Sequence, residues 1–118
     1  MKNSRGLAPL IFSIILAMAS CQSKSKIIAL LESQEKDDII KGAYLAGESG
    51  DKEFIPFLLS GAWDFRRSTN FQFKGYSIYE EKMIALKKIF GKAPPVEITY
   101  MPDSTVIDFY IRLSKKDH

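Results

Sequence analysis

The sequence predicts an all-α domain, a stack of about two helix pairs with a long aromatic-rich loop between them. Three observations lead there. Apolar residues recur at three- and four-residue spacings along five segments. Gly50 and Gly91 each follow such a segment, where a left-handed residue commonly ends a helix. The one stretch of strand-like alternation, Val96, Ile98 and Tyr100 around Glu97 and Thr99, has no second strand to pair with.

The first helix is expected over 26–33, where Ile27, Ile28, Leu30 and Leu31 fit one face. Gln34, Glu35 and Lys36 form a polar connection, and Asp37 or Asp38 is placed to cap a second helix, DIIKGAYLAGES. That helix packs Ile39 or Ile40, Ala43, Leu45 and Ala46. Gly42 and Gly47 cost helix propensity, and they make sense where another helix comes close to the backbone. Asp51 is set to cap a third helix, KEFIPFLLS, with Phe54, Ile55, Phe57, Leu58 and Leu59 as its apolar residues and Gly61 as its stop. Pro56 lies about one turn in, later than the preferred first position, which predicts a bend or a shifted start. Ser77 and Glu80 form a capping box for a fourth helix, in which Tyr79, Met83, Leu86 and Phe90 make the inner stripe and Ile78, Ala85 and Ile89 widen it. Glu81, Lys82, Lys87 and Lys88 are expected to face water. Lys92 to Pro95 break the helix, the following residues cross the helix ends in extended form, and Pro102, Asp103 and Ser104 announce a last helix. Its buried face is Val106, Phe109, Tyr110 and Leu113, with Lys115, Lys116 and His118 towards its C-terminus.

The stretch GESGDKEFIPFLL, 47–59, resembles the inter-helix segment of HEAT-type repeats, in particular the short HEAT-like repeats of the family that includes phycobilin lyases. Asp51, Glu53, Ile55, Pro56, Leu58 and Leu59 match that pattern in order over 38–60, and Lys41 stands near the place where the family commonly has Arg. The resemblance implies a HEAT-like, armadillo-type stack of about two helix pairs over 26–118, with the first helix as a cap. A single helix pair cannot cover both of its apolar faces, which is why pairs stack. Gly50 and Gly91 are forty-one residues apart, more than one such unit, and the excess is the loop at 61–76. The lyase activity of some members is not carried over to so short a chain.

The N-terminus reads as an export signal. Lys2 and Arg5 precede an apolar run from Leu7 to Ala19, broken only by Pro9 and Ser13. That run is shorter than the roughly 20 residues of a membrane-spanning helix and matches a signal-peptide core. MASC, ending at Cys21, resembles the bacterial lipobox, with Met18 where Leu is most usual. The resemblance implies removal of residues 1–20 and acylation of Cys21, which is the only cysteine, followed by a polar tether through 25. Acyl chains contribute about 0.8 kcal/mol per buried CH2, so lipid on Cys21 would hold the domain at a membrane without a spanning helix. Gln22 after the cysteine points to the outer membrane rather than inner-membrane retention. An uncleaved hydrophobic helix with a free thiol is the alternative.

Composition narrows the function. Without Lys2 and Arg5 the chain has fifteen basic and fourteen acidic side chains, a net charge of only +1, which gives little field for nucleic acid. One cysteine excludes an intramolecular disulfide framework. No GxGxxG or GxxxxGK[ST] sequence is present to cradle a phosphate, and the single histidine, His118, is terminal, so no metal ligand set, cofactor or Ser-His-carboxylate arrangement is expected. Asp64 and Glu80 or Glu81 are the carboxylates that acid–base chemistry would use, but groups at loops and helix starts are more often solvating or capping.

The loop GAWDFRRSTNFQFKGY is the unexpected part. Trp63, Phe65, Phe71, Phe73 and Tyr76 are interleaved with Arg66, Arg67 and Lys74, residue types enriched at interface hot spots. The loop either binds a partner or folds back to plug an open end of the stack. The expected function is a noncatalytic protein–protein interaction module. It would meet the membrane through lipid on Cys21 and an envelope protein through the loop. The alternatives are a structural subunit of an envelope complex, or an envelope ligand-binding or enzymatic protein.

Overall fold

Two glycines set how closely the helices approach. The computed structural model describes residues 23–116, in which α1 covers 23–31, α2 Lys36–Ser49, α3 Ile55–Leu59, α4 Ile78–Phe90 and α5 Ser104–Lys116. Gly42 and Gly47, five residues apart, lie about 140° apart around α2. A Cβ on Gly42 would stand 2.9 Å from Leu30 Cβ and 3.0 Å from the Leu31 backbone nitrogen, and one on Gly47 would stand 2.9 Å from Ala85 Cα. Hence α1 presses on one side of α2 and α4 on another, as the glycine spacing predicted.

The chain is all-α. Among the described residues there is no strand, only an isolated antiparallel bridge between Arg67 and Ser77. α4 is the central element: Tyr79, Met83, Ala85 and Leu86 are buried with Ala43 and Ala46 of α2, Phe54, Leu58 of α3, and Val106 and Tyr110 of α5. A smaller cluster of Ile39, Ile40 and Ile78 lies beside it, with Phe73 packed at its edge. α2 packs on α4, and α3 packs on both α4 and α5. The expected inner face of α5 holds, with Val106 and Tyr110 buried and Phe109 and Leu113 packed against them. The segment before α5 is irregular and crosses the helix ends: Tyr110 Oη donates to the Lys92 carbonyl at 2.9 Å and Ser77 Oγ to that of Tyr100 at 2.8 Å.

The helix ends follow local chemistry. Asp51 accepts from the Glu53 N–H at 2.9 Å, and Gly50 and Gly91 take the left-handed conformation, each at φ 67°. Ser77 Oγ accepts from the Glu80 N–H at 3.0 Å while the Glu80 carboxylate accepts from the Ser77 N–H at 3.4 Å, completing the capping box. A 3-10 turn at Lys52–Phe54 takes up the residues before Pro56, so α3 starts late and Pro56 falls in its first turn, where its missing N–H has no helical partner in any case.

Three expectations are corrected. α2 begins at Lys36, with Glu35 as an N-cap that makes no side-chain bond. Asp37 and Asp38 sit inside its first turn, because Ser33 organises the entry: its Oγ donates to Asp38 at 3.0 Å and accepts from the Glu35 N–H at 3.1 Å. Residues 23–25, expected as tether, are helical, and Lys24 reaches Asp51 at 3.0 Å and Glu53 at 3.4 Å. Glu81 and Lys82 do not face water: they are 6% and 4% exposed, since α4 is covered on three sides. The signal segment 1–20, Cys21, Gln22 and His118 lie outside the described residues.

Candidate functional site

Helix α4 begins with N–H groups that no helical carbonyl can reach. The loop supplies their partners: Ile78 N–H donates to the Arg66 carbonyl at 2.9 Å and Tyr79 N–H to that of Asp64 at 2.8 Å. Ser68 N–H donates to the Tyr76 carbonyl at 3.0 Å, so 64–68 runs antiparallel to 76–79. The tip is closed by a second 3-10 turn, Phe71–Phe73, capped by Asn70 Oδ1 from the Gln72 N–H at 2.9 Å. Lys74 follows in the left-handed region at φ 53°.

This backbone divides the loop side chains. Trp63, Phe65 and Phe71 are 57%, 64% and 99% exposed, so they do not plug the stack. Phe73 is half-buried against Ile39, Ile40 and Ile78, and Tyr76 is half-buried as well. The two arginines serve the loop. Arg66 grips the Asp64 carboxylate with Nε at 3.1 Å and Nη2 at 2.8 Å, and Nη1 donates to the Gln34 carbonyl at 3.1 Å. That guanidinium holds Asp64 below the usual carboxylate range, and the same pairing raises Arg66. Arg67 Nε donates to the Gly75 carbonyl at 2.9 Å while its guanidinium carbon lies 4.4 Å from the centre of the Tyr100 ring.

Phe73, Lys74 and Tyr76 meet Glu81, one of the carboxylates weighed for acid–base chemistry, and several side chains that the sequence does not single out as binding candidates. With Tyr44, Gln72, Glu81, Ile84 and Lys88 they line a groove of about 410 Å³ between α2, the loop and α4. Glu81 is its buried acid. Burial pushes its carboxyl from the ordinary 4.5 up to about 7, opposed by the charge of Lys88 and reinforced by Glu80 and Glu48. No hydrogen bond or ion pair reaches this carboxylate from the described residues. Lys88 is held elsewhere: its Nζ is 2.6 Å from Glu48 and 5.2 Å from the centre of the Tyr44 ring.

Lys82, the next residue, opens onto a different hollow of about 540 Å³, lined in part by Ile39, Phe57, Ser60 and Asp64. Its Nζ donates to the Ser60 carbonyl at 2.6 Å, and burial lowers its pKa against the opposing charge of Asp64. The sequence did hold a signal for both. Residue 81 falls on one helical face with Ile78 and Ala85, and residue 82 with Tyr79 and Leu86, so each charge interrupts an apolar stripe.

Chemically, the groove offers a carboxyl group that exchanges its proton near neutral pH beside three aromatic rings. Perturbed acids in clefts are candidate functional groups. Among the described residues no cluster of three or more His, Cys, Asp or Glu side chains converges on a metal position, and no helix is long and apolar enough to cross a membrane. The Tyr79 hydroxyl is buried beside the backbone of Asp103 without a hydrogen bond of good geometry. Comparison of the chain with models of protein families, with curated proteins and with solved structures gives no match.

Proposed function

We propose that this chain is a lipid-anchored, noncatalytic interaction module of a bacterial envelope, built as a short HEAT-like stack. The architecture is compatible with that reading: α2 meets α4 and α3 meets α5, as the first and second helices of successive pairs do in a stack, while α1 covers the open side of α2. Cys21, beyond the described residues, is the proposed acylation site, and anchoring there would raise the effective concentration against membrane-bound partners.

One observation carries the interaction role. Trp63, Phe65 and Phe71 are exposed on a loop whose backbone is fixed by hydrogen bonds to α4 and by two arginines. Large rings with few rotatable bonds on a fixed backbone cost little further ordering on binding, which favours affinity. Photo-crosslinking residues at positions 65 and 71 in intact cells are expected to give the same discrete envelope adduct. Trp63→Ala combined with Phe71→Ala is expected to remove the adduct formed from position 65 without loss of helix. A control probe on α5 at Lys115 that yields the same adduct, or adduct formation unchanged in the double variant, contradicts the proposal.

A further inference from the structure

The groove between α2, the loop and α4 contains an acceptor without a donor. Glu81 is more than nine-tenths buried yet lines open volume, with Ile84 and Lys88 following it along the same face of α4. Its carboxylate oxygens open only into the groove, where partial loss of water disfavours the charge, and protonation is one way to relieve that. A bound cation is the other. Two of the chain's own nearby cations are placed elsewhere, Lys88 on Glu48 and Lys82 on the Ser60 carbonyl, while Lys74 lines the groove without an ion pair to Glu81. The aromatic lining suits a positive group as well, since the Tyr44 ring already has one ammonium, Lys88 Nζ, at 5.2 Å.

We propose that the groove binds a primary alkylammonium group, with the nitrogen on the Glu81 carboxylate and the alkyl stem along Tyr44, Phe73 and Tyr76. At about 410 Å³ it accommodates a small amine or a single lysine-like side chain rather than a large ligand. The charges that face Glu81 are Glu80 and Lys88 from its own helix, Glu48 from α2 and Lys74 from the loop. They are two of each sign, so attraction for a cation comes from Glu81 itself when ionised. Affinity therefore rises with pH as the carboxyl loses its proton, about tenfold between pH 6 and pH 8 for a group titrating near 7. This site is separate from the exposed loop aromatics and does not depend on their having a partner.

The test is a titration of the full chain in detergent, read by NMR at the Glu81 carboxyl and the Tyr44 and Tyr76 rings. The probes are n-butylammonium and its neutral isostere n-butanol. N-acetyl-lysine amide and phosphoethanolamine then distinguish a protein side chain from a lipid headgroup as the source of the amine. The expected result is saturable binding of n-butylammonium at least tenfold tighter than n-butanol, stronger at pH 8 than at pH 6. Glu81→Gln is expected to remove that preference while the dispersed spectrum of the folded chain persists. The Trp63→Ala, Phe71→Ala variant is expected to bind the amine normally, so failure of the partner reading and failure of this one are told apart. Equal binding of amine and alcohol, or an amine preference retained in Glu81→Gln, overturns the proposal. So does Lys74→Met if it strengthens amine binding by freeing Glu81, because the occupant is then the chain's own lysine.

Discussion

Replacing Glu81 by Gln should stabilise the protein, and by an amount that depends on pH. The side chain keeps its shape, so packing along Ile78 and Ala85 is preserved, and only the buried charge is lost. In the folded chain the carboxyl holds its proton up to about pH 7, whereas in the unfolded chain it loses it near its ordinary 4.5. Between those values the folded state binds more protons than the unfolded one, so the wild type loses stability as pH rises through that window and regains it on acidification. The ionised carboxylate costs the wild type about 1 kcal/mol at pH 5 and about 3 kcal/mol at pH 8. The new amide has its own desolvation cost, equal at both pH values, and it cancels in the comparison. Urea unfolding of both proteins at pH 5 and pH 8 should therefore show the advantage of Glu81→Gln growing by about 2 kcal/mol, with an unchanged slope. In thermal unfolding the growth corresponds to roughly 8–16 °C for a domain of this size. An advantage of the same size at both pH values would refute the claim that Glu81 is a desolvated, unpaired acid.

Gly47→Ala should destabilise the fold by about 1–2 kcal/mol, since overpacking against the Ala85 backbone outweighs the gain in helix propensity, and a lowered Tm checks it. Ser77→Ala should cost about 1–2 kcal/mol and speed amide exchange at Glu80, because it removes the cap and leaves the Tyr100 carbonyl without its donor. Cys21→Ser should abolish lipid labelling and release the chain from membranes, and continued membrane retention would favour an uncleaved N-terminal helix.

Features governed by neighbours in the chain were legible before the structure. The capping box at Ser77 and Glu80, the left-handed Gly50 and Gly91, the Asp51 cap and the displaced start at Pro56 each depend on a few adjacent residues. The glycines of α2 were also readable, because the absence of a side chain has few structural uses inside a helix. What escaped depends on distant contacts. Ser23 to Ser25 carry no apolar period, and their helix is tied by Lys24 to carboxylates more than two dozen residues away. The start of α2 turned on Ser33, whose hydroxyl competes with the aspartates expected to act as the cap. Glu81 and Lys82 were read as solvent-facing because of their charge, although their helical positions coincide with the inner stripe. The division of the loop between exposed Trp63, Phe65 and Phe71 and the groove-lining Phe73 and Tyr76 depends on where 64–68 pairs, and that pairing is with α4.

The attachment of that arm to the first peptide groups of α4 has a mechanical side. A pull on the tip at Phe71 is carried by the bonds from Ser68, Ile78 and Tyr79, and peeling them apart bares the start of the helix around which the core is assembled. Strain applied at the periphery is thus delivered to the centre of the domain, and a tight grip on the loop would be resisted by the cohesion of the whole molecule rather than by the loop alone.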